Sequence, residues 1–191
     1  MNSAALIVID MLVDYFDRLL ALSSQRDRLV AGINGLARGF RSSGQPVIWV
    51  RQEFKADLSD AFLETRRLGI RITIEGTEGA RILPELERGE RDLEIVKKRY
   101  SAFFGTDLDQ VLSRLKPRTL VVAGINTHAC VRATAIDAYQ RDYDVILASD
   151  CIGSHDAEHH DVTLRYLDGK MARLLSNQEI IRLLGVDSPK D

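Results

Sequence analysis

Short runs of branched apolar residues alternate along this chain with stretches whose apolar positions recur every three or four residues. The run AALIVID (4–10) is continuously apolar up to its last residue and too brief for a helix core. A strand buried on both faces of a parallel sheet reads this way. PVIWVR (46–51), DLEIVK (92–97), TLVVAG (119–124), YDVILAS (143–149) and MARLLS (171–176) repeat the pattern. Between the first two runs, Leu29, Ile33, Leu36 and Phe40 keep helical spacing until Gly44 and Pro46 stop it. Helices are predicted over 107–115, 129–141 and 157–167 between the later runs.

Regular strand–helix alternation predicts a single doubly wound α/β domain over 1–186, with a short polar tail at 187–191. The expected sheet has six parallel strands in the order 3-2-1-4-5-6 and helices on both faces. The segment 52–90 breaks the alternation: it holds Gly69, Gly76, Gly79 and Pro84 and has weak periodicity. A long irregular stretch inside a domain points to a lid or an interface.

Composition narrows the function classes. The 191 residues carry a formal net charge of -2, with both signs interspersed, which argues against nucleic acid as a partner. No apolar stretch reaches membrane-spanning length, and MNSAALIVID lacks the features of a signal peptide. With 2 cysteines and no CxxC pair, neither a disulfide framework nor a thiolate zinc site is expected. These features predict a cytoplasmic protein acting on a small molecule.

In doubly wound sheets, ligands bind outside the carboxyl ends of the strands where the strand order reverses. Asp10 closes the first strand, Lys97 closes the third, and Cys130 follows the fourth by a short loop. Each has an ordinary reading taken singly: a turn-forming aspartate, a surface lysine, a buried cysteine. Together at the ends of one sheet they form a nucleophile, a carboxylate able to carry its proton, and an ammonium that keeps the carboxylate charged. A helix N-terminus beside Cys130 is expected to lower its pKa, and amides of the 124–130 loop to face a developing oxyanion. Asp14 reads as a solvated or capping carboxylate, and Cys151 as inert.

The segments ALIVIDMLVDYF, EGTEGARILPEL, EIVKKRYSAFFGTDLDQVL and VVAGINTHACVRATAIDAYQRDYDVILASDCIGS together resemble the isochorismatase-like cysteine hydrolase superfamily over nearly the full chain. The resemblance implies a catalytic triad of Asp10, Lys97 and Cys130. It also implies a cis peptide at Ile125–Asn126 that turns the amides of Asn126 and Cys130 into an oxyanion hole, and a homodimer or homotetramer. The superfamily's nicotinamidases carry an Asp/His metal cluster after the second strand. VRQEFKADLSDAFLETRRLGIRI has no histidine, so no metal and no cofactor are expected. True isochorismatases cleave a vinyl ether without needing a thiolate. Retention of Cys130 therefore favours C–N hydrolysis in a small amide, N-carbamoyl or ureide substrate through an acyl-enzyme. The alternatives are vinyl-ether hydrolysis with Asp10 as acid, or a non-catalytic binding module.

Candidates for the substrate pocket are Phe16, Trp49, Phe54, Tyr100, Phe103, Phe104 and His128, against a default of core packing for most aromatics. Arg51, Arg66, Arg67 and Arg71 could hold a substrate carboxylate, against a default of solvation. His155, His159 and His160 read as rim or subunit contacts.

Overall fold

The run AALIVI is buried at every position, and it lies inside a sheet of order β3-β2-β1-β4-β5-β6. The structure, a computed structural model, describes residues 1 and 3–185; the expected tail at 187–191 lies outside the described residues. The strands are β1 (Ala4–Ile9), β2 (Val47–Gln52), β3 (Leu93–Lys97), β4 (Thr119–Ile125), β5 (Asp144–Gly153) and β6 (Arg173–Leu175), and every neighbouring pair is parallel. The helices are α1 (Val13–Arg18), α2 (Leu20–Ser23), α3 (Arg26–Ser42), α4 (Leu63–Arg67), α5 (Leu108–Leu115), α6 (Arg132–Tyr139), α7 (Ala157–Leu167) and α8 (Asn177–Leu184). No helix among them is long and apolar enough to cross a membrane.

Successive side chains of β1 point to opposite faces, and each face has its own core. Leu6 and Val8 meet Leu29, Ile33, Leu36 and Phe40 of α3 and Ile180 of α8. Ala5, Ile7 and Ile9 meet Leu108 and Leu112 of α5, Ala135 and Ala138 of α6, and Leu167 of α7. The helical spacing read from the sequence is the packing stripe of α3.

The carboxyl ends of β1 and β4 approach closely at Gly124, which pairs with Ile9 at φ +106, and a Cβ there would overlap the Ile9 backbone. β5 runs beyond its expected end at Ser149 because its register with β4 shifts between Val122 and Gly124, after which Ile125 pairs with Gly153. That extension sets Ser154 and His155 against the loop that follows β4. The helix expected from 129 begins instead at Arg132, preceded by a π turn over Thr127–Val131.

The irregular segment after β2 has a small core of its own. Phe54, Leu58, Ala61 and Ile74 pack together with Phe62. Asp60 ties this segment to the residues after β3: Lys98 pairs with its carboxylate at 3.0 Å, and Arg99 donates to its carbonyl at 2.8 Å.

Candidate active site

Asp10 leaves β1 in the left-handed region, φ 54, a conformation aspartate tolerates better than most residues and one that recurs at functional sites. Its carboxylate is thereby turned along the strand ends. Oδ1 accepts the backbone N–H of Gln52 at 2.8 Å, and Oδ2 lies 2.7 Å from Lys97 Nζ. Lys97 reaches from the end of β3, and its ammonium also donates to Cys130 Sγ at 3.3 Å and to the Arg99 carbonyl at 3.1 Å. Three N–H bonds of the ammonium thus meet a carboxylate, a sulfur and a carbonyl. Cys130 occupies the π turn after β4, and the Ile125–Asn126 peptide bond preceding that turn is cis.

These groups are out of water: Asp10 is 1%, Lys97 0% and Cys130 5% exposed. Burial works to lower the Lys97 pKa, but the Asp10 charge, with the Cys130 sulfur and the hydrogen bonds to both, outweighs it and holds the group above its ordinary value. Burial, reinforced by the Asp10 charge, pushes the Cys130 thiol up to about 12, with Lys97 pulling the other way. The free protein therefore holds a carboxylate–ammonium pair and a neutral thiol. This corrects the expectation of a thiol acidified by a helix N-terminus. The turn that carries Cys130 is enclosed in the core with Ala102, Val131 and Ile152, and burial is the first cause of the raised thiol.

The structure also adds two residues to the site. Tyr15, on α1, donates its hydroxyl to Gln52 Oε1. The tyrosine's pKa stands well above 10.0, through burial first and then the charges of Asp10 and Cys130. Gln52 pairs in register with Lys97, so both side chains lie on one face of the sheet. The available sequence signal was a polar residue directly after the apolar run of the second strand. Ending that strand at Arg51 left Gln52 in a loop.

The expected pocket wall is corrected in part. Phe16 and Trp49 pack in the core under α3, and the Trp49 indole N–H donates to Asp92 at 2.8 Å. Phe103 is buried in the opposite core, with the Arg141 guanidinium 4.3 Å over its ring, at the far end of α6 from Cys130. Tyr100 is half exposed and stacks on Phe62, ring centroids 4.8 Å apart. Phe54 belongs to the small core of the irregular segment, and Phe104 is exposed.

The arginines are engaged elsewhere. Arg51 pairs with Glu53 and Glu94, Arg67 with Glu64, and Arg66 and Arg71 donate to backbone carbonyls. Asp14 is buried rather than solvated: Oδ2 accepts the Thr73 N–H at 2.7 Å, and Oδ1 pairs with Arg18 at 2.8 Å.

All 4 histidines gather around the loop before Cys130. His128 Nδ1 meets Ser154 Oγ at 2.7 Å, His155 Nδ1 meets Asn126 Oδ1 at 3.0 Å, and His160 Nδ1 meets Thr127 Oγ1 at 2.8 Å. The His159 ring lies 5.8 Å from that of His128. His128 thus buttresses the loop from outside the triad. Cys151 is buried on the α3 face and donates to Asn177 Oδ1 at 3.1 Å.

A family model described as the isochorismatase domain matches residues 4–179. The chain is 32% identical over 166 residues to YecD, an isochorismatase-family protein of Escherichia coli O157:H7, with 83% of this chain and 84% of that protein covered. A cysteine hydrolase from Pseudomonas syringae pv. phaseolicola superposes with a TM-score of 0.88 at 25% identity, over 96% of this chain and 93% of that one. N-carbamoylsarcosine amidase from Thermoplasma acidophilum does so with a TM-score of 0.78 at 28% identity, over 92% and 96%.

Proposed function

The chain belongs to the isochorismatase family, and from that premise we propose that it is a cysteine-dependent hydrolase of a C–N bond in a small amide, N-carbamoyl or ureide substrate. The observation that carries this reading is the single ammonium of Lys97 held between the Asp10 carboxylate, at 2.7 Å, and Cys130 Sγ, at 3.3 Å. Vinyl-ether protonation has no use for the sulfur. The similarity to a cysteine hydrolase and to N-carbamoylsarcosine amidase supports the same choice.

In the proposed reaction, Asp10 takes the thiol proton as Sγ attacks the substrate carbonyl, because a thiol raised by burial supplies no standing thiolate. The carbonyl oxygen becomes an oxyanion facing the amides of Asn126 and Cys130. As the tetrahedral intermediate collapses, Asp10 returns the proton to nitrogen, the C–N bond breaks and the amine leaves. Water then attacks the thioester, giving its proton to Asp10. Breaking the C–S bond releases the acid, and Asp10 reprotonates the sulfur. Lys97 remains charged throughout and offsets the negative charge that shifts between Asp10 and Cys130.

The test is hydrolysis of a panel of N-carbamoyl compounds, ureides and small amides by wild type and Cys130→Ala, with intact-mass detection of an acyl adduct. Removing a nucleophile is expected to cost on the order of a thousandfold or more. A Cys130→Ala protein that hydrolyses the best panel member at the wild-type rate would defeat the proposal. Turnover of a vinyl ether by that variant would transfer the assignment to vinyl-ether chemistry.

A further inference from the structure

Gln52 is 4% exposed, yet its Nε2 has no hydrogen-bond partner among the described residues. Its other polar atoms are engaged at the site: the backbone N–H on Asp10 Oδ1 at 2.8 Å, and Oε1 by the Tyr15 hydroxyl. A buried donor left unpaired is costly, so one that persists beside reactive groups marks a place where a ligand atom completes the set. Tyr15 fixes which end of the amide is free. Its O–H is a donor to Oε1, and a reversed amide would leave that proton without its acceptor.

We propose that Gln52 is a specificity-determining residue whose side-chain N–H donates to a second, uncharged carbonyl oxygen of the substrate, next to the scissile one, with Tyr15 as the positioning residue for the amide. The inference rests on the C–N hydrolase reading and deepens it to acylurea-like compounds carrying two neighbouring carbonyls. Local charge weighs against a carboxylate as the acceptor. Lys97 is matched by Asp10 at 2.7 Å, Lys98 by Asp60 at 3.0 Å, and Arg99 donates to the carbonyls of Asp60 and Lys98 at 2.8 and 2.7 Å. A carboxylate buried beside Asp10 would find both lysine charges already matched and would sit against the Asp10 charge itself, leaving Arg99 as the one cation of the three held on neutral carbonyls alone; a buried charge without its partner is far costlier than a neutral carbonyl on an amide donor.

Binding can be read without turnover in Cys130→Ala, by calorimetry with acetylurea, with ethylurea, which lacks the second carbonyl, and with N-carbamoylglycine, which carries a carboxylate. We expect acetylurea to bind roughly tenfold or more tightly than either. Gln52→Met should erase the preference over ethylurea and Tyr15→Phe should reduce it. Gln52→Glu, which is close in size but presents an acceptor, should reverse it. All of these variants keep the backbone N–H that holds Asp10. Equal affinity for acetylurea and ethylurea, no detectable acetylurea binding, tighter N-carbamoylglycine binding, or discrimination between acetylurea and ethylurea that survives Gln52→Met would each overturn the assignment. A separate failure of Cys130 to acylate in wild type would remove the hydrolase reading while leaving these binding results intact.

Discussion

Cys130 shares its enclosure with one carboxylate and one ammonium, so ionising the thiol would leave a net negative charge in a place that water does not reach. That is why the thiol stands at about 12, and the two neighbours act on it in opposite senses. Replacing Asp10 by Asn removes the carboxylate that opposes ionisation and leaves Lys97, which favours it. The pH profile of Cys130 alkylation by iodoacetamide, recorded with Cys151→Ala as background, should therefore move down by a unit or more in Asp10→Asn. Hydrolysis should fall at the same time, because an amide cannot carry the proton. Lys97→Met should slow alkylation further at any pH below 12. An Asp10→Asn profile that coincides with its background would show that the two groups are not coupled. Asp10, Lys97 and Cys130 were legible in the sequence because each bears chemistry at the end of an apolar run, and sheet topology alone brings such ends together. Phe16 and Trp49 were not legible. An aromatic side chain carries no mark of which sheet face it will join, and theirs is the α3 face.

Two contacts at the level of elements hold the strand ends and the irregular segment in place. At Gly124 the β4 backbone has φ +106 and lies too near Ile9 for a side chain, whereas Gly169 has φ +70 and open space around it. Gly169→Ala should therefore cost only the backbone preference, about 1 kcal/mol. Gly124→Ala should cost several times that, because the obstacle is backbone that cannot rotate away. Urea midpoints for the two variants provide the comparison, and equal losses would refute the close-approach account. Asp14 does the corresponding work for the irregular segment, accepting from Thr73 at 2.7 Å while Gly79 leaves room for its carboxylate. Asp14→Ala should cost about 1–3 kcal/mol by leaving a buried N–H unpaired. If the segment orders the pocket, it should also raise KM more than it lowers kcat; an unchanged KM would place the segment away from substrate. The strands and the helices α3, α5 and α7 could be read from the sequence because their periodicity is the packing pattern itself. α1, α2 and α4 are a turn or two long, too short to show a period. α8 is announced by its capping box, Ser176 with Glu179, a signal overlooked beside the apolar run before it. The π turn at Thr127–Val131 has no periodic signature, so the helix carrying Cys130 was expected to begin too early.

For the molecule as a whole, the buried titratable groups bound stability on both sides of neutrality. Cys130 and Cys151 are each raised to about 12, both chiefly by burial, whereas an unfolded chain gives up its thiol protons near 8.5. Between those values the unfolded state binds fewer protons than the folded one, so the free energy of unfolding falls as pH rises, by up to about 1.4 kcal/mol per pH unit for each thiol. Lys97, held above 10.5, adds its loss at the upper end of the same range. On the acid side, burial lowers His128, with His155 adding repulsion, and burial likewise lowers His160. An unfolded histidine takes its proton near 6.5. Below that value the unfolded state binds more protons than the folded one, and stability declines as pH falls. Maximum stability is therefore expected between roughly pH 6.5 and 8.5, with an alkaline limb that flattens by one thiol in Cys151→Ala and by a second in Cys130→Ala/Cys151→Ala. Urea midpoints taken from pH 5 to pH 11 give the limbs directly. Cys151 packs against α8 on the opposite face from the triad, so its contribution should be independent of Asp10 and Lys97, while that of Cys130 should shrink in Asp10→Asn. An alkaline limb that keeps its slope after both cysteines are removed would mean that the thiols already ionise in the folded protein, which would contradict the neutral thiol from which the proposed acylation starts.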